Sequence, residues 1–327
     1  MTGRVALDPE RLRAALASVG DAALADARIE AVPNWGGFVN RSFEVRAGAA
    51  RFFLKLTSDA DVRAGLGRWH DRRERLETLY GAPRALAWVH VEGTPFAGLL
   101  LEWVEGTTPK MLTPGLVGRV GPLLDRLHAD GTLREGLAEV FDASRSCAER
   151  YRESFHDRFV EDLKGIASDP PPFVDRERLH WMETEAARLH RMVSASRAFE
   201  GPADAPVHGD PWLDNLIAGG DRGIRVVDWD ELALGDPVHD WAVFLGPGRR
   251  DLRTAVERMH LVSRPLTDAE RERLRLLARA TSLDWVIDPL ADWVDADPES
   301  AHGRAVRRAN EPLHEEAFAR YSARHVA

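Results

Sequence analysis

Apolar and polar positions change their period as the chain is followed from the first residue. From Leu7 to Arg28 they recur at helical spacing, behind Asp8-Pro9 in cap and first-turn positions. Arg41-Ser42-Phe43-Glu44-Val45-Arg46 then alternates as a half-buried strand does. A turn at Ala47-Gly48-Ala49-Ala50 leads into Arg51-Phe52-Phe53-Leu54-Lys55-Leu56, a more apolar strand. Asp61 to Tyr80 predicts a helix, and Ala85–Val91 with Leu99–Val104 predicts a hairpin around Glu92-Gly93-Thr94. Beyond residue 104 helical spacing dominates: 113–129, 144–164, 175–194, 251–260, 268–284 and 305–322. One short β-like stretch, Val207–Val227, interrupts them. The pattern predicts an α+β protein with a small, mostly antiparallel N-terminal lobe (1–104) and a helical C-terminal lobe (105–327).

Composition narrows the picture modestly. The chain has 327 residues, 44% of them apolar and 30% charged, enough for two lobes with a sizeable core. A net charge of −9 argues against nucleic acid as a partner. The single cysteine, Cys147, excludes an internal disulfide and fits a reducing compartment. Met1–Gly20 lacks the apolar core of a signal peptide, and no apolar run approaches membrane-helix length. The expectation is a cytoplasmic protein with no membrane association. Its cations are nearly all Arg; Lys occurs only as Lys55, Lys110 and Lys164.

The densest chemistry lies in His208-Gly209-Asp210-Pro211-Trp212-Leu213-Asp214-Asn215, followed by Val226-Val227-Asp228-Trp229-Asp230. Phosphoryl transfer from a nucleotide needs a carboxylate that orients the attacking hydroxyl and accepts its proton. It also needs oxygen ligands that hold Mg²⁺ against the phosphates. Asp210, Asn215 and Asp228 fit those roles in that order. Single Asp and Asn residues more often cap helices or make turns; the ordered constellation is what separates the two readings. With Gly235-Asp236-Pro237-x₂-Asp240, the whole resembles the aminoglycoside phosphotransferase and choline kinase-like family, whose fold is a bilobal variant of the protein kinase fold. The resemblance implies Asp210 as catalytic base, Asn215 and Asp228 as Mg²⁺ ligands, and His208 and Asp240 as supports of the catalytic loop.

The N-terminal lobe supplies further candidates. Lys55 sits on an apolar strand, and burying its ammonium costs several kcal/mol unless it is paired. Asp71, Glu74 and Glu77 on the following helix are candidate partners, with Glu74, the middle one, expected. Gly36-Gly37 lies where the family covers the nucleotide, although Gly-Gly before a strand is by itself a hairpin turn. Leu101-Glu102-Trp103-Val104 resembles the segment that joins the family's lobes, which implies that the backbone of Glu102 and Val104 faces the adenine, the competing reading being a plain strand-to-loop exit. In Leu283–Asp295, Asp284, Trp285 and Asp288 suit an amine-bearing acceptor through charge and cation–π contact, the competing reading being an ordinary amphipathic helix.

The expected reaction is transfer of the γ-phosphate of ATP–Mg²⁺, with GTP as the other donor, to a small hydroxylated molecule such as an aminoglycoside or amino sugar. A kinase of choline-like alcohols and a non-catalytic pseudokinase are the alternatives. His-Gly-Asp in place of His-Arg-Asp, and the short gap from Asp228 to Gly235-Asp236-Pro237, argue against a protein kinase.

Overall fold

The computed structural model describes residues 7–20, 22–32, 40–219, 223–246 and 265–325. By internal contacts the chain forms two compact units, Met1–Met111 with Leu213–Leu232, and Leu112–Trp212 with Ala233–Ala327. The division is therefore not a single cut at residue 104, because 213–232 returns to the first unit.

The first unit is built on five antiparallel strands: β1 (Arg28–Ala31), β2 (Asn40–Ala47), β3 (Ala50–Thr57), β4 (Ala85–His90) and β5 (Ala97–Glu102), ordered β1-β2-β3-β5-β4. Gly48, at φ 59°, makes the β2–β3 turn. The helix expected over 7–28 is shorter. α1 (Pro9–Ala17), capped by Asp8 with Pro9 in its first turn, ends before Gly20 at φ 90°. A short α2 (Ala22–Ala25) follows, and Arg28–Ala31 pairs with β2 as an edge strand. Leu12, Leu16 and Leu24 pack with Val45, Leu54, Leu56, Val89 and Leu100 into one core. The helix expected over 61–80 breaks at Arg72, φ −110° and ψ 9°, into α3 (Ala60–Asp71) and α4 (Arg73–Tyr80). A hairpin of β7 (Leu216–Ala218) and β8 (Ile224–Val226) completes the unit, β6 (Ala205–Val207) and β9 (Ala233–Gly235) being a pair in the second.

The second unit is mostly helical. Its elements are α5 (Pro114–His128), α6 (Gly131–Ala138), α7 (Cys147–Tyr151), α8 (Asp157–Ser168), α9 (Arg176–Ala195), α10 (Pro237–Leu245), α11 (Asp268–Asp295) and α12 (Ala301–His325). The stretch read as one helix from 144 to 164 contains a π-helical turn, Arg152–His156, between α7 and α8. Sequence periodicity passed over α6 and α10, each under three turns long and so too short to show a clear period. The helix expected over 268–284 continues through Pro289 to Asp295. The helix expected over 251–260 lies outside the described residues. Inside the bundle Arg279 Nε donates to Glu185 Oε1 at 2.8 Å, and Tyr321 Oη donates to the same oxygen at 2.5 Å, tying α9, α11 and α12 together. Among the described residues no helix is long and apolar enough to cross a membrane.

Candidate active site

In the first unit the site begins with the alternation of β3. Leu54 and Leu56 point into the core, which turns Lys55 to the opposite face of the sheet, where 5% of it is exposed. Its Nζ donates to Asp230 Oδ2 at 2.8 Å and pairs with Asp228. The expected partner Glu74 is corrected here: it lies exposed on α4, and the carboxylates that meet Lys55 come from the turn after β8. Burial works against the Lys55 charge, but Asp228 and then Asp230 hold its pKa above the usual lysine value. Burial likewise opposes ionisation of Asp228, yet Lys55 holds it below the ordinary carboxylate range. Asp230 is pushed up to about 6, by burial first and by the neighbouring Asp228 charge second.

Asp228 has φ 67° and ψ 64°, the one non-glycine residue with positive φ among the described residues. Such strain concentrates at functional positions. It aims a carboxylate that keeps 39% of its side chain exposed. Asn215, 9% exposed, ends a 3₁₀ turn just before β7, and its carbonyl accepts from Val227 N at 2.9 Å. The β7–β8 hairpin thus sets Asn215 beside Val227 and one residue from Asp228. Glu102 ends β5; its N–H donates to Arg84 O at 2.9 Å and its carboxylate pairs with Arg225. Arg225 is fixed in turn by the carbonyls of Gly81 and Ala82, at 2.6 and 2.7 Å. Val104 follows the strand, half-buried. Gly36 and Gly37 lie outside the described residues.

In the second unit Asp240, on α10, has no exposed surface. It accepts from the backbone N–H groups of His208 and Gly209, both at 2.9 Å, and from His128 Nε2 at 2.8 Å. Burial raises its pKa, and the His128 hydrogen bond and charge outweigh this and lower it. Asp210 N donates to His208 Nδ1 at 3.3 Å, and Gly209 takes φ 91°. The His208-Gly209-Asp210 loop is thereby shaped from both sides, with Asp210 half-buried. α10 is itself anchored: Asp236 caps it by accepting from Val238 N at 3.1 Å and pairs with Arg273 at 2.8 Å.

The three acceptor candidates share the surface of α11. Trp285 meets Trp212, from the loop that carries Asp210, edge to face at 5.4 Å. Asp284 pairs with Arg158, whose other nitrogen lies 3.8 Å from Asp288.

The model of the phosphotransferase enzyme family (APH) matches residues 30–277. The chain belongs to this family. It is a small-molecule kinase. Solved structures agree in fold. APH(2")-IIia, in its GDP and kanamycin complex, superposes with a TM-score of 0.58 at 12% identity, covering 89% of this chain and 93% of that one. Choline kinase from Cryptosporidium parvum gives 0.56 at 14%, covering 94% of each chain. Spectinomycin phosphotransferase APH(9)-Ia, complexed with ADP and spectinomycin, gives 0.55 at 13%, covering 89% and 92%. No curated protein matches the sequence significantly. At these identities the likeness establishes the protein-kinase-like fold.

For a phosphotransferase of this fold, the oxygen donors of Asn215 and Asp228 suit Mg²⁺, which takes one or two protein oxygens and completes its shell with phosphate and water. Among the described residues no three His, Cys, Asp or Glu side chains form a metal cage. Several contributors escaped the sequence. His128, at the end of α5, holds Asp240. Asp230 was read only as part of the Asp-Trp-Asp string. Their partners are 112 and 175 positions away, beyond any local signal. Cys147 is buried, and burial pushes its thiol up to about 12, so it is no nucleophile.

Proposed function

We propose that the protein transfers the γ-phosphate of ATP to a hydroxyl of a small, amine-bearing acceptor such as an aminoglycoside or amino sugar, in the cytoplasm and with Mg²⁺. The observation that carries this is the buried Lys55 held between two carboxylates, with Asn215 set beside Val227 at the open end of the hairpin. A lysine so placed supplies a fixed positive charge for the α- and β-phosphates. Asn215 and Asp228 would hold Mg²⁺, which neutralises charge that develops on the phosphates. Backbone at Glu102 and Val104 would receive the adenine, and Gly36-Gly37 would approach the phosphates. Asp210, on a loop pinned through His208 and Asp240, would orient the acceptor hydroxyl and take its proton. Positioning and electrostatics account for most of the acceleration, and no covalent intermediate is required.

The acceptor reading draws on the face shared by α8 and α11. Asp162, Asp284, Asp288, Asp292 and Asp295 interact electrostatically there, and Arg158 meets Asp162, Asp284 and Asp288. Trp285 and Trp212 add aromatic surface beside the Asp210 loop, where an ammonium gains from both charge and cation–π contact. The same features suit a quaternary ammonium alcohol, which makes a choline-like acceptor the second reading.

The test is turnover of ATP and GTP with Mg²⁺ against aminoglycosides, amino sugars and choline-like alcohols, with Asp210→Asn beside the wild type. Acceptor-dependent ADP or GDP release is expected, falling about 10²–10⁴-fold in the variant. Nucleotide binding with no turnover on any acceptor would favour a pseudokinase.

A further inference from the structure

We propose that Asp230 is the positioning residue for Lys55, and that α3 serves as the platform for Asp230 rather than as the source of the pairing carboxylate. This rests on Lys55 acting as the phosphate-binding lysine. A buried ammonium must keep a carboxylate partner. Asp228 is the proposed metal ligand, so drawing it toward Mg²⁺ would leave Lys55 with Asp230, at 2.8 Å and with 12% of its side chain exposed. Neither Glu74 nor Asp71 fills this place: Glu74 is exposed and the Asp71 side chain is 73% exposed.

α3 instead grips the backbone of the Asp230 turn. A Cβ at Gly65 would lie 2.1 Å from the Asp230 carbonyl oxygen, so only glycine lets the helix come this close. One turn on, Arg68 Nε donates to Leu232 O at 3.0 Å and its Nη2 to Asp230 O at 3.3 Å. Trp229, fully buried, fixes the start of the turn by donating from Nε1 to Val226 O at 2.9 Å. From a backbone held on both sides, Asp230 extends its carboxylate to Lys55. The lysine is thereby placed by a side chain two residues from Asp228, so one short turn sets both the metal ligand and the phosphate-binding cation.

The experiment compares Asp230→Asn, Asp230→Glu, Lys55→Met, the Lys55→Met/Asp230→Asn double variant and Glu74→Gln. Affinities for ATP and ADP with Mg²⁺ are measured by equilibrium titration, and stability by urea unfolding. Asp230→Asn should weaken nucleotide binding at least tenfold, and Asp230→Glu should restore most of it. In the Lys55→Met background Asp230→Asn should add little, a non-additivity that general loosening of the turn would not produce. Wild-type affinity in Asp230→Asn, or a tenfold loss in Glu74→Gln, would overturn the proposal. If the wild type binds no nucleotide, the phosphotransfer reading fails separately. The pairing is then decided by urea unfolding: non-additive effects of the Lys55 and Asp230 substitutions sustain it, and additive effects overturn it.

Discussion

At the scale of single residues, Trp229 ties stability to the site. It has no exposed surface, packs on Tyr80 with ring centroids 6.0 Å apart, and separates Asp228 from Asp230. Truncating a buried Trp to Ala costs about 3–5 kcal/mol. Trp229→Ala should therefore lower the urea midpoint by that equivalent and weaken Mg²⁺–nucleotide binding, because both carboxylates lose their anchor. Trp229→Phe keeps most of the packing and loses one hydrogen bond, about 1 kcal/mol. Unchanged unfolding in Trp229→Ala would refute the anchoring role. At this scale the sequence holds Asp210, Asn215 and Asp228 within one short string, and the fold sets Asn215 beside Val227, next to Asp228. The partner of Lys55 was missed: three carboxylates on a nearby helix looked plausible, and the pair that folding selected lies on the far side of the sequence.

At the scale of elements, the Asp210 loop depends on α10 and the end of α5. Asp240 accepts three hydrogen bonds while wholly buried. Its pKa is lowered by folding, so its stabilising contribution is complete above the unfolded value of about 3.9 and is lost as pH falls through the lower folded value. Asp240→Ala leaves the His208 and Gly209 N–H groups without this acceptor and should cost about 3 kcal/mol near neutral pH. That penalty should shrink as pH falls below the unfolded value of about 3.9; a penalty unchanged down to the lowest pH at which the protein stays folded would refute it. Gly65→Ala tests α3 in the same way. Its Cβ would fall 2.1 Å from a backbone oxygen, and α3 or the turn must shift, at a cost of about 1–3 kcal/mol in thermal unfolding. The strands β2 to β5 were legible because alternation and a Gly turn are local signals. β1 was not: Arg28-Ile29-Glu30-Ala31 continues a helical pattern, and only pairing with β2 makes it a strand.

At the scale of the whole molecule, a net charge of −9 says little until its distribution is known. Part of it gathers on α8 and α11, where folding forces carboxylates together. Burial, then neighbouring carboxylates, push Asp162 and Asp292 up to about 6. Asp288 is pushed to about 7, although 56% of its side chain remains exposed, which makes repulsion from Asp284 and Asp292 the firmer of its two causes. These shifts have the opposite sign to that of Asp240. A carboxyl whose pKa rises on folding favours the folded state while protonated. That advantage is full below the unfolded value of about 3.9 and disappears as pH climbs through about 6 to 7. The face should therefore destabilise the protein at pH 8 relative to pH 5. Asp292→Asn removes one repelling charge and should raise the melting temperature by about 2–4 °C at pH 8, with little change at pH 4. A cationic acceptor that binds this face should mimic the substitution, raising the melting temperature at pH 8 more than at pH 5 and gaining less in Asp292→Asn than in the wild type. Equal shifts at both pH values would show that the acceptor's charge is met elsewhere, and the amine reading of α11 would fall while the assignment of Asp210 and Lys55 stood.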